Sequence, residues 1–215
     1  MSDKVVLHGY FRSSAAFRVR IALNLKGIAY ESRTYQLRKG EQHASRYLEL
    51  NPQGLVPALE IDGEVLTQSV SIVEYLDETR PQPPLQPPGA AARARCRALA
   101  HLISCDVHPL NNLRVLQYLR GNLGVAETRE REWYFHWLTA GFDALEALLE
   151  PLRGPFCWGD RPGLADICLI PQVFNARHWS FDMSPYARIR SVFDHAMRLP
   201  EFAQAAPDRQ PDAHA

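Results

Sequence analysis

The stretch RPQPPLQPPG, residues 80–89, divides this chain more firmly than any other feature. Its five prolines remove backbone donors and stiffen the chain, so neither a helix interior nor a central strand runs through it. The two sides are patterned differently. Before the break lie β-branched runs and a hairpin signal; after it the chain is rich in Ala, Leu and Arg without hairpin signals. The pattern predicts a first domain over 1–80, a linker over 81–89 and an all-helical domain over 90–215. With 215 residues, the chain is long enough to bury a real core.

Within the first part, KVVLHGY (residues 4–10) reads as a buried strand. A helix is expected from about Ser14 to Lys26, stopped by Gly27 in the left-handed conformation. IAYESRTYQL then reads as a second strand, parallel to the first because a helix separates them. A polar, irregular or helical connection follows over residues 39–50. In NPQGLVPALEIDGEVLTQS, Asp62 and Gly63 mark a two-residue hairpin. Ser69 is expected to cap a helix through Thr79, with Ile72, Val73 and Leu76 facing inward. The order βαβ then ββα is a thioredoxin-like layout. In the second part, turns are expected over 121–124 and 153–155, and the tail APDRQPDAHA reads as extended or loose.

Charge and cysteine usage narrow the function classes. Lys+Arg and Asp+Glu number 24 each, giving a formal net charge of zero, whereas a duplex-binding protein needs a basic excess. Nucleic acid is therefore not an expected partner. Cys96, Cys105, Cys157 and Cys168 are scattered, without the spacing of a zinc site or a disulfide framework, so no metal is expected. No signal-peptide pattern or stretch of membrane-spanning length is present, and the expectation is a cytoplasmic, soluble protein with no membrane partner.

Three short segments can carry chemistry. Ser13 and Ser14 stand where a strand gives way to a helix, whose first amides are unpaired and carry positive partial charge. They either cap the helix or hold a thiolate. Lowering a thiol from about 8.5 by two units takes only about 2.7 kcal/mol. Ala15 and Ala16 are not nucleophiles, so a reactive sulfur would come from a ligand. In LVPAL, Pro57 ends strand pairing and can mark a cis bond, which would present the Val56 backbone to an extended peptide. A plain turn proline is the alternative. In TQSVS, Gln68 and Ser69 stand at another helix entrance, a place for a carboxylate or simply a cap.

These segments resemble the glutathione transferase family. RSSAAFRVRIALNLKGIAYE, LNPQGLVPALEIDGEVLTQSVSIVEYL, CDVHPLNNLRVLQYL, GDRPGLADICLIPQVFNA and the RQPD of the tail are most similar to its zeta class, the maleylacetoacetate and maleylpyruvate isomerases. The resemblance implies a thioredoxin-like glutathione-binding domain followed by an all-helical substrate domain, in a homodimer. It implies Ser14, with Ser13, as partner of the glutathione sulfur, Val56 before Pro57 as backbone partner of the cysteinyl unit, Gln68 and Ser69 at the γ-glutamyl carboxylate, and Gln53 at the glycyl end. It further implies cations for a small dicarboxylate keto acid. Arg12 is the first candidate, with His108 and Arg114 from HPLNNLR, where Pro109 is expected to bend a helix, and Arg177 and His178 from FNARHW; His108 and Asn112 are also implied at the glutathione. The implied reaction is cis–trans isomerisation by thiolate addition, bond rotation and elimination, with glutathione regenerated.

Three positions depart from the family pattern. Ala15 stands where many zeta members have cysteine, a residue not needed if glutathione itself attacks. His178 falls at the family arginine, with Arg177 beside it but about 100° away around a helix. Gly163 opens a capping box usually begun by Ser or Thr, with Asp166 three residues on; a small stability cost and no change of fold are expected. Two other functions fit less of the pattern: a broader transferase that conjugates glutathione or dehalogenates α-halo acids, and a non-catalytic binding protein of the same fold.

Overall fold

The computed structural model describes residues 4–214. The chain divides into two compact units, Met1–Leu85 with Met197–Ala215, and Gln86–Ala196. In the first unit, β1 (Val6–Gly9) leads into α1 (Ser14–Leu25), and β2 (Glu31–Thr34) pairs parallel to β1. Short 3-10 turns and α2 (Ser45–Leu48) connect to the hairpin of β3 (Ala58–Ile61) and β4 (Glu64–Thr67). The hairpin turns on Asp62 and Gly63, both at positive φ (54° and 80°), as a type I′ turn demands. The sheet order is β2-β1-β3-β4, with β3 antiparallel to β1, and α3 (Ser69–Thr79) packs against α1. Every residue of β1 is buried: Val6 and Leu7 lie in the core, and His8 is satisfied by contacts to the Tyr35 hydroxyl at 2.8 Å and Glu60 Oε1 at 2.6 Å.

Beyond the linker come α4 (Ala90–His101), a wide π-helical stretch at Leu102–Val107, α5 (Leu113–Gly121), α6 (Glu127–Leu149), α7 (Leu164–His178) and α8 (Ala187–Ala196). The core of this second unit includes Leu99, Ile103, Val107, Leu138, Phe142, Ile167 and Val173. The helix expected to bend at Pro109 widens just before it: the His108 amide reaches back five residues to the Ile103 carbonyl. Asp166 accepts from the Gly163 and Cys157 amides, at 2.9 and 2.8 Å, so the glycine-led start of α7 keeps its carboxylate half.

Two expectations require correction. The helical domain does not run to residue 215, because the chain from Met197 onward belongs to the first unit. Nor is the tail loose. After α9 (Pro200–Ala203) it forms 3-10 turns at Pro207–Arg209 and Pro211–His214, and Ala205, Ala206, Gln210 and Asp212 are buried. The segment leading into it is bonded to α1: Arg20 Nε donates to the Ala205 carbonyl at 2.8 Å and Asn24 to the Glu201 carbonyl at 2.9 Å.

Candidate active site

The serine turn forms because β1 runs almost directly into α1. The Ser13 amide donates to the Tyr10 carbonyl at 3.0 Å, closing the turn. Ser13 has extended backbone, and its Oγ accepts from the Ala16 amide at 3.1 Å, so Ser13 is the helix cap. Ser14 is the first helical residue, 6% exposed, and its hydroxyl makes no hydrogen bond among the described residues. One oxygen therefore serves the helix and the other is available at the positive helix end. Arg12 is half-buried on the same turn.

A second opening lies before β3. Asn51 Nδ2 and the Tyr47 hydroxyl both donate to the Leu55 carbonyl, at 2.7 and 2.6 Å, while Asn51 Oδ1 accepts from the Gln53 amide at 3.1 Å. Gly54 between them has φ +61°, and a Cβ there would stand 2.6 Å from the His43 ring. Only glycine suits both the conformation and the approach. The Val56–Pro57 bond is cis. Among the described residues, Val56 pairs neither its amide nor its carbonyl with another backbone group. An extended peptide can take both, as an added strand does.

At the third segment the sequence reading of Ser69 as a cap is corrected. Gln68 holds the cap position at φ 66°, ψ 110°, a conformation that costs a non-glycine residue about 1–3 kcal/mol, and it makes no capping bond. Ser69 is instead the first residue of α3. Among the described residues, the opening amides of α3 thus have no capping side-chain acceptor, which suits a carboxylate. Behind them, buried Arg18 donates from Nη1 to Ser69 Oγ at 3.2 Å. A guanidinium only donates, so the Ser69 hydroxyl keeps its own proton for another acceptor. Gln68 Nε2 also donates to Gln53 Oε1 at 2.9 Å, bringing two predicted site residues together. These three segments fit an extended, anionic peptide thiol: amides for carboxylates, an unpaired peptide group for its backbone, and a hydroxyl for its sulfur.

The remaining predicted residues lie in the second unit. His108 Nε2 stands 3.5 Å from Asn112 Nδ2, and Asn112 caps α5, accepting from the Arg114 amide at 3.1 Å. Arg114 and His178 are exposed. Arg177 is engaged on α8: it donates to Asp194 at 3.1 Å and lies 4.1 Å from the centre of the Phe193 ring. Sequence reasoning missed Arg18, Asn51 and Tyr47. Arginine inside the otherwise apolar FRVRIAL was a readable signal; the other two act on the Leu55 carbonyl and left none. Among the described residues, no helix is long and apolar enough to cross a membrane, and no cluster of His, Cys, Asp or Glu is placed to hold a metal.

Residues 12–79 match the family described as "Glutathione S-transferase, N-terminal domain", and residues 138–198 match "Glutathione S-transferase, C-terminal domain". A probable maleylacetoacetate isomerase of Vibrio cholerae is 51% identical over 212 residues, 97% of this chain and 98% of that protein. A solved holo structure of maleyl pyruvate isomerase, a bacterial zeta-class glutathione S-transferase, is 47% identical and superimposes with a TM-score of 0.94, covering 96% of this chain and 99% of that one. Maleylacetoacetate isomerase from Anaeromyxobacter dehalogenans, solved with dicarboxyethyl glutathione and citrate in its active site, is 41% identical with a TM-score of 0.87, covering 98% of this chain and 94% of that one.

Proposed function

The chain belongs to the glutathione S-transferase family, and from that premise we propose that it is a glutathione-dependent isomerase converting the cis double bond of a maleyl keto acid to trans. The observation that carries this is the first unit's combination of an available Ser14 hydroxyl at a helix start, an unpaired Val56 peptide and an uncapped α3, with no nucleophile of its own at the turn. Glutathione, when bound, supplies the thiolate that adds to the double bond and is released after rotation. The dicarboxyethyl glutathione in the related isomerase is a thioether of glutathione with a four-carbon dicarboxylic acid, which supports addition chemistry.

The chain's own residues hold and orient. Ser14 donates its proton toward the sulfur, helped by the positive end of α1, and Ser13 keeps that helix start in place. Val56 takes the cysteinyl backbone in strand-like pairing. Gln68, Ser69 and the first amides of α3 receive the γ-glutamyl carboxylate, with Gln53 toward the glycyl end. Arg12 supplies positive charge for the dicarboxylate substrate. A homodimer and a cytoplasmic location belong to the same reading and are supported by family resemblance alone.

The test is ultraviolet absorbance of enzymatically generated maleylpyruvate and maleylacetoacetate, with and without catalytic glutathione. Conversion to the fumaryl isomer that requires glutathione and leaves it unconsumed is expected, and the faster substrate identifies the distal group. Stoichiometric loss of glutathione would instead mark a conjugating transferase.

A further inference from the structure

We propose that the C-terminal tail, through Asp212, is a positioning element for the serine turn; this rests on the reading that the turn receives the glutathione sulfur. The Phe11 amide donates to Asp212 Oδ2 at 3.0 Å, across 201 residues of sequence. Arg20 then takes the neighbouring carbonyls: Nη2 donates to Phe11 O at 3.0 Å and Nη1 reaches Tyr10 O at 3.5 Å, while Nε donates to Ala205 O, just before the tail. Two successive peptide groups, one on each side of Phe11, are therefore held just before Arg12, Ser13 and Ser14. The Tyr10 carbonyl that Arg20 reaches is the one that closes the turn with the Ser13 amide.

The tail is shaped for this contact. Gln210 Nε2 donates to the carbonyls of Gln204 and Ala206, both at 2.9 Å, curling the chain so that Asp212 arrives at Phe11. Arg20 and Asp212 are 3% and 7% exposed, so their bonds are shielded from water. Burial pulls the Arg20 guanidinium down to about 10, with Tyr30 and Asp212 opposing that shift, and it stays charged at neutral pH. Asp212 does not itself reach the sulfur. Its effect runs through the turn, where a misplacement of about 1 Å can cost on the order of a hundredfold in rate.

The experiment compares wild type with Asp212→Ala, Asp212→Asn and Gln210→Ala. Four quantities are read: ionisation of bound glutathione by thiolate absorbance against pH, kcat and KM, amide exchange over residues 11–14 in the ligand-free protein, and Tm. Asp212→Ala should raise the pKa of the bound thiol by about one unit, lower kcat about tenfold and accelerate exchange at Phe11. Asp212→Asn retains an acceptor oxygen and should restore most of the wild-type values. Gln210→Ala should shift the thiol the same way by less, and it carries the test if Asp212→Ala does not fold. Unchanged thiol ionisation and kcat in every folded variant, with only Tm lowered, would reduce the tail to a structural clasp and overturn the proposal. A wild-type protein that binds no glutathione would overturn the functional reading itself, an outcome the wild-type titration detects before any variant is compared.

Discussion

Ser13 and Ser14 are chemically identical neighbours with different environments, so substitution should separate them. Ser13 already accepts from the Ala16 amide, and its loss removes a cap worth about 1 kcal/mol of stability. Ser14 makes no such bond, and its hydroxyl is the one left for a sulfur. A hydrogen bond to a charged group contributes roughly 1.5–3 kcal/mol, so Ser14→Ala should cost about one to two orders of magnitude in kcat/KM and raise the bound thiol's pKa, with little change in Tm. Ser13→Ala should lower Tm and cost less activity. Kinetics and thiolate titration on both variants check this; a raised thiol pKa in Ser13→Ala alone would reverse the assignment. From the sequence the pair was legible as a helix start, but the division of labour was not. It depends on which oxygen points back at Ala16, and adjacent serines leave no compositional trace of that. Gln68 and Ser69 make the same point. Capping preference favours serine, yet the strained φ of Gln68 moves the helix boundary by one residue.

At the scale of elements, local chemistry was read well and packing was not. The hairpin at Asp62 and Gly63 follows from turn preference alone, and the α1 stop at Gly27 from its positive φ. The π-helical stretch at Leu102–Val107, which packs against α4, α6 and α7, has only the Pro109 that follows it as a signal. Gly141, inside α6, lies against it: a Cβ at that position would stand 2.1 Å from Val107 Cγ2. Helix propensity alone says that alanine should stabilise α6 by about 1 kcal/mol. The packing argument gives the opposite sign, because Val107 is β-branched, fully buried and restricted at χ1. Overpacking of this kind costs about 1–3 kcal/mol, so Gly141→Ala should be net destabilising. Urea unfolding measures the difference, and a more stable variant would mean that the two elements separate easily at this contact.

The whole molecule shows why a polar tail can be misread as a loose end. Nothing near APDRQPDAHA in sequence tells that Asp212 and Ala205 meet residues of the first turn and first helix. That information is nonlocal, whereas the proline break at 80–89 announces itself within ten residues. The consequence is that the first unit is assembled from both ends of the chain, and ligand linkage can locate the glutathione site in it. A ligand that binds only the folded state, present at about a hundred times its Kd, stabilises by about 2.7 kcal/mol. For a chain of this size that corresponds to a Tm rise of roughly 5–10 °C. The assignment of Ser14, Val56 and Gln68 requires the gain to fall on Met1–Leu85 with the tail. Calorimetry with and without glutathione, paired with amide exchange, should therefore show a higher Tm and the largest slowing at the openings of α1 and α3 and around Val56. Slowing confined to Gln86–Ala196 would place the tripeptide on the wrong unit for every role assigned to it, even if the enzyme proved to be an isomerase.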